Sequence, residues 1–280
     1  MGLTIHWELR GPANATPAGI KAICKKLRSA AMDLPFDKVG PIRELIGESH
    51  CNPEYHRKPD RTNEEEELMS MAIGGSCGYS IKKKSHGDSH VTYHYPIQPL
   101  HIIGFEIWVA RGCEPMDIVF GRYPESISRY DEYQRHRTWK TRLQGWHGRS
   151  FSKTQYASDP SVGGIPNFLL AHGGIVAMLD KAKELGVLKW VSDEGHFWEK
   201  RNVPALVKQI GEWNAFVAGF AGAMKDAIGR AVPGAELVSP IMERPDFEDL
   251  EMKGQKIGNL PAFVKMMAAA MPPAGDRKKG

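Results

Sequence analysis

No run of about 18 apolar residues occurs anywhere in the chain, so no segment reads as a membrane span. The opening MGLTIHWELR lacks a basic stretch followed by an apolar one, and does not read as a secretory signal. His6 stands where a myristoylation site after Gly2 needs Ser or Thr. Cysteine is scarce: Cys24, Cys51, Cys77 and Cys113 are scattered, with no C-x-x-C pair. Without an export signal, that usage points to reduced thiols in a cytoplasm. Charge of one sign is not in excess either, with 37 basic against 33 acidic residues. A nucleic-acid footprint needs positive charge clustered on one face, so that partner is not supported. There is no internal repeat and no G-x-x-x-x-G-K-S/T phosphate loop.

What is present is ordinary globular composition, 41% hydrophobic and 25% charged over 280 residues. That length buries a real core. Leu3, Ile5, Trp7 and Leu9 alternate with polar residues, which predicts a half-buried strand. Thr16 then caps a helix with Pro17 in its first position, and Ile20, Ile23, Cys24, Leu27 and Ala31 form its stripe. Val39–Ile46 reads as a strand that Pro41 confines to an edge or a start. Residues 48–90 are rich in Gly, Ser, His, Pro and charge, and read as a mobile insertion with a short helix at Leu68–Ile73.

His101–Gly112 and Met116–Pro124 have the β-branched and aromatic content of strands, joined by a turn at Gly112–Pro115. Tyr130–Gln144 is polar and basic and fits a loop or an exposed helix. A strand is expected through Gly148–Tyr156. Phe168, His172, Ile175, Leu179 and Ala182 predict a helix opened by Pro166 and capped by Gly186. Leu206, Ile210, Trp213, Val217, Phe220, Met224 and Ile228 predict a long helix over about 204–228. A strand at Leu237–Met242, a Met-rich helix at Leu260–Ala270 and a disordered tail from Pro272 complete the expectation.

Several constellations invite chemistry. His86, Asp88, His90 and His94 form H-x-D-x-H-x3-H, whose even positions share a face on a strand and suit zinc or a similar ion. The flanking Gly and Ser favour a solvated loop instead. Ser150–Lys153 carries S-x-x-K, but its S-D-N and K-T-G companions are missing and the stretch reads as strand. Pro245-Asp246 with Glu251-Met252-Lys253 mimics a metal-dependent nuclease signature, but the gap is too short for the strand pair it needs. His172 lies on an apolar helix stripe, where a satisfied core histidine is the commoner outcome. Asp193, Glu194 and Glu199 gather between two predicted helices, where capping and solvation are favoured over acid–base work. Arg149, Lys153, Gln155 and Asn167 flank the Gly163-Gly164 turn into a helix N-terminus, which attracts anions. A plain strand-to-helix connection remains the competing reading there.

LTIHW at the start, Ala31–Gly40, GCEP with the following GRYP, SFSKTQYAS, GGIPNF and DEGHFWEKR resemble, in the same order, a group of uncharacterised bacterial proteins. The resemblance covers most of the chain outside 48–90 and the tail. That group has no assigned activity, so it implies no catalytic residues. Similar sequences look to have Cys where this chain has Ser152. The resemblance therefore implies no shared mechanism through a thiol at that position.

The expectation is a single α+β domain over 1–230, a mainly antiparallel sheet packed against amphipathic helices, with an extension over 231–280. Its function is expected to be binding of a small anionic ligand or ion at the sheet–helix junction, lined by Arg122, Lys153, Gln155, Asn167, His172 and Glu194. The alternative is an interaction or assembly module without catalytic activity, built on the 206–228 stripe, the basic run 129–142 and the Met-rich segment 260–271. No cofactor and no oligomeric state follow from the residues.

Overall fold

The computed structural model describes residues 3–47, 50–51, 79–84, 91–231 and 238–256. Their fold is α+β. Strand β1 (Thr4–Arg10) lies between β10 (Trp146–Lys153) and β11 (Leu188–Asp193). The sheet continues through β7 (Met116–Arg122) and β6 (His101–Trp108). On the far side of β6, the short β2 (Lys38–Val39) and β3 (Arg43–Ile46) both pair with it. Every pairing is antiparallel. Pro41 splits what reads as one strand into these two pieces, because it has no N–H for the ladder.

One face of this sheet is covered by helices. Alternation sends Leu3, Ile5, Trp7 and Leu9 inward, all at 1% exposure or less. They meet α1 (Pro17–Met32) and α2 (Gly164–Glu184) in one core. Thr16 caps α1 by accepting the Gly19 N–H at 3.1 Å. Ile20, Cys24, Leu27 and Ala31 are its buried stripe, as the spacing predicts. Gly174 in mid-α2 has a direct cause: a Cβ there would lie 2.5 Å from Phe36 Cε1.

The other face carries two hairpins. β4 (Tyr79–Lys84) pairs with β5 (Thr92–Ile97), and β8 (Ser126–Tyr130) with β9 (His136–Lys140). They enclose a second cluster that includes Ile97, Ile102, Val119, Tyr123 and Ile127. The basic run 130–144 is therefore part of a hairpin rather than a loop or helix. Asp131 nucleates its turn by accepting the N–H groups of Tyr133 and Arg135, each at 2.9 Å. Residues 79–84 of the expected insertion form β4; 52–78 and 85–90 lie outside the described residues, as does the helix expected at 68–73.

Beyond β11 come the single turn α3 (Phe197–Lys200) and the long α4 (Val203–Ala231). Leu206 and Ile210 enter the main core, but Trp213, Val217, Phe220 and Met224 stay half-buried. In the second half of α4 the buried residues are instead Ala215, Ala218, Gly219, Ala221 and Gly222. Here α4 meets α5 (Phe247–Gln255) rather than the sheet, and small residues allow the helices to approach closely. A Cβ on Gly219 would lie 2.8 Å from Gly254 Cα. The strand expected at Leu237–Met242 is a 3-10 turn over Pro240–Glu243, because Pro240 sets a turn φ and donates nothing to a ladder. The helix expected at 260–270 and the tail from 272 lie outside the described residues. No helix among the described residues is long and apolar enough to cross a membrane.

Candidate functional site

Three buried polar side chains meet where β10, α2 and β11 converge. Asp193 ends β11, directly opposite Ile5 of β1. Its Oδ2 lies 3.1 Å from His172 Nε2 and accepts the Trp198 N–H at 2.8 Å; its Oδ1 accepts the Gly195 N–H at 2.7 Å. On the other side of the ring, His172 Nδ1 lies 3.0 Å from Thr154 Oγ1. Burial alone pushes the Asp193 carboxyl up, but His172 and the two backbone N–H groups hold it below its ordinary value. An ionised carboxylate only accepts, so Nε2 carries the proton towards Asp193. The Thr154 hydroxyl that faces Nδ1 donates to the Leu3 carbonyl at 3.3 Å.

The order hydroxyl, imidazole, carboxylate is that of a nucleophile with its base. Access excludes that role in this conformation: Thr154 and His172 are 0% exposed and Asp193 is 3% exposed. A Cβ on Gly195 would fall 2.8 Å from Leu206 Cδ1 and 3.1 Å from His172 Cε1, so the lid over the ring is tight. The three side chains tie strand ends to helix.

A second buried network starts one residue later. Gln155 Nε2 donates to Asn214 Oδ1 at 3.2 Å, and Asn214 Nδ2 donates to Ser158 Oγ at 2.8 Å. Arg244, 5% exposed, reaches the same Ser158 Oγ from the other side at 3.3 Å and forks onto Asp246 through two bonds of 2.9 Å. Gln155 Oε1 is buried without a hydrogen-bond partner among the described residues.

An open cavity lies along α4. It is a groove of about 740 Å3. Trp213 and Phe216 give it an aromatic wall, their rings edge to face at 5.9 Å. His196, Lys208 and Glu212 bring charge or titratable groups to its rim. Gln209 Nε2 donates to the Glu194 carbonyl at 2.6 Å, fastening the groove to the end of β11. His196 has φ +53, a conformation uncommon for a residue with a side chain. Its N–H donates to Asp193 O at 3.0 Å, and the Asp193 carboxylate fixes the turn before it. The buried cluster thus sets the shape of the exposed rim.

The residues expected to line one hollow occupy different environments. Lys153 lies over the Tyr156 ring at 5.0 Å, and Gln155 and His172 are fully buried. Asn167 Nδ2 donates to the carbonyls of Arg111 at 2.8 Å and Ala157 at 3.0 Å. Glu194 Oε2 accepts the Thr4 N–H at 2.9 Å. These five surround one end of the central strands. Arg122 does not join them: it pairs with Trp146, at the opposite end of β10 from Lys153 and about 23 Å away along the strand. Of the proposed metal set, His86, Asp88 and His90 lie outside the described residues. His94 Nδ1 is 3.4 Å from Ser80 Oγ on the β4–β5 hairpin. No group of three His, Cys, Asp or Glu suited to a metal occurs among the described residues.

Sequence reasoning passed over Thr154, Asn214, Arg244 and Lys208, and favoured capping and solvation for the Asp193 cluster beside His196. Asp193-Glu194-Gly195 did carry a signal, since Asp followed by Gly two places on is a turn in which the carboxylate accepts the Gly N–H. Comparison with protein families, curated proteins and solved structures finds no match for this chain.

Proposed function

We propose that the protein binds a small amphipathic molecule, one with a flat apolar body and an anionic group, in the α4 groove. The observation that carries this reading is an aromatic wall of Trp213 and Phe216 beside the rim cation Lys208 and the His196 imidazole, in a space of about 740 Å3. Small-molecule sites typically occupy roughly 300–1,000 Å3, with mostly apolar walls and a few polar anchors. The strained His196 conformation supports it, because such strain concentrates at functional turns. The groove adjoins the sheet–helix junction through Glu194 and Gln209. A cytoplasmic setting belongs to the same proposal. It is supported by Cys24 and Cys113, which are free thiols, the first held at about 12 by burial.

The test is a thermal-melting series with aromatic carboxylates and aryl phosphates, each beside its neutral analogue. Acidic members are expected to raise Tm in proportion to ln(1 + [L]/Kd), and Lys208→Glu or Trp213→Ala to remove the shift. A flat panel, or shifts that survive both substitutions, overturns the proposal.

A further inference from the structure

The two hairpins concentrate a charge that the chain as a whole does not show. Segments 79–84, 91–97 and 124–143 hold eight basic and three acidic residues. The rest of the chain is balanced, 29 basic against 30 acidic. One of the three acids is already engaged, since Asp131 pairs with Arg135 and Arg137 of its own hairpin. Lys82, Lys83, Lys84, Arg129, Lys140 and Arg142 are exposed and form no ion pair with another described residue. The ladder sets Arg129 directly opposite Arg137, although like charges in that position weaken a hairpin. An anion lying across the pair relieves the repulsion.

Aromatic rings are interleaved with these cations. Tyr93, Tyr130 and Tyr133 are 37%, 64% and 50% exposed. Tyr93 stands opposite Lys83 on the β4–β5 ladder, and the Arg135 guanidinium lies over the Tyr133 ring at 4.8 Å. Tyr95 of one hairpin and Trp139 of the other hold the two together, their rings 4.4 Å apart. The basic arms therefore make one surface.

We propose that this two-hairpin surface binds single-stranded nucleic acid, with phosphates on the lysines and arginines and bases on the tyrosine rings. Cations alone serve any polyanion, but exposed rings stack only on bases that are unpaired. A lipid surface is the poorer fit, because the exposed rings are tyrosines rather than the Trp, Phe and Leu that enter the acyl boundary. The hairpins enclose their own cluster, on the other side of the sheet from the core that α4 joins. The proposal is thus independent of the small-molecule reading.

The test is fluorescence anisotropy of the full-length protein with a labelled 20-mer of thymidylate, beside the matching duplex and phosphatidylglycerol vesicles. The single strand is expected to bind in the micromolar range at about 50 mM salt, and more tightly than the duplex. K82Q/K84Q/K140Q is expected to weaken it at least tenfold and to flatten the slope of log K against log salt by about 2. Y130A/Y133A is expected to weaken it at least about fivefold with the salt slope unchanged. K25Q/K26Q, on the exposed side of α1, is expected to change neither. All these side chains are exposed, so the variants keep the fold, which circular dichroism checks. No binding of the single strand, equal or tighter binding of the duplex, binding of the vesicles alone, or affinity indifferent to the lysines or to the tyrosines overturns the proposal.

Discussion

His172 Nε2 and Asp193 Oδ2 stand 3.1 Å apart with neither side chain exposed at all. Asp193 also accepts two backbone N–H groups, so its carboxylate holds three elements at one point. Removing one member of a buried polar pair leaves the other without water or partner, at roughly 3–5 kcal/mol. Asp193→Ala is expected to lose that much in urea unfolding. Thr154→Val, which removes only the hydroxyl at the far side of the ring, is expected to cost about 1–3 kcal/mol. The double variant should fall short of the sum, because both act through one imidazole. Additive losses would mean that the three groups are independent.

Acid is expected to act through the same carboxylate. Its folded pKa lies below the unfolded value of about 3.9, so its contribution is complete above that value and is lost as pH falls through the folded pKa. Asp131 has the same sign. Burial pushes it up, but the N–H groups of Arg135 and Tyr133 and the two guanidinium groups bring it down to about 2. Stability measured by denaturant is expected to decline from about pH 4 towards pH 2, and less steeply in Asp193→Asn. Equal slopes in parent and variant would remove Asp193 from the cause.

The α4–α5 contact depends on the absence of side chains at Gly254 and Gly219. Gly254→Val is expected to push α5 away, at about 1–3 kcal/mol. Hydrogen exchange should show faster amides in Phe247–Gln255 while β1 and β10 keep their protection. Uniform loss across the chain would contradict a local contact.

His196 adopts φ +53, which glycine reaches at no steric cost. His196→Gly is expected to leave the protein as stable or to stabilise it by up to ~1 kcal/mol, while weakening any anionic ligand of the groove. A Tm drop of several degrees would show that the imidazole is held by packing rather than placed for a ligand.

How much of this was legible depends on whether the burying partner is itself patterned. β1, α1 and α2 each face a continuous core, and their periodicities appear directly: Leu3 to Leu9 by twos, Ile20 to Ala31 by threes and fours. β11 did not read as a strand because it lies at the edge and exposes Lys189 and Trp190. Without that strand, Asp193 looked like a residue of a solvated loop. In α4 the large residues of the predicted stripe point along a face that the main core buries fully at Leu206 and Ile210 and partly at Trp213. Beyond those turns the packing is made by Ala and Gly, which hydrophobic periodicity does not see. The polar residues at the junction were legible as a group. That most of them would be spent on backbone carbonyls, amides and each other was not, since such bonds join positions far apart in the chain, as Gln155 and Asn214 show.

Arg244 fastens the last described segment to the rest of the protein. Its guanidinium sits within the body of the molecule, on Ser158 and Asp246, while the segment that bears it also shares a small core of Ala218, Ile241 and Leu250. A protease nick between Ala231 and Val238 therefore leaves the two pieces clasped without a covalent link. The severed protein is expected to migrate as one species until denaturant releases a fragment beginning near Val238.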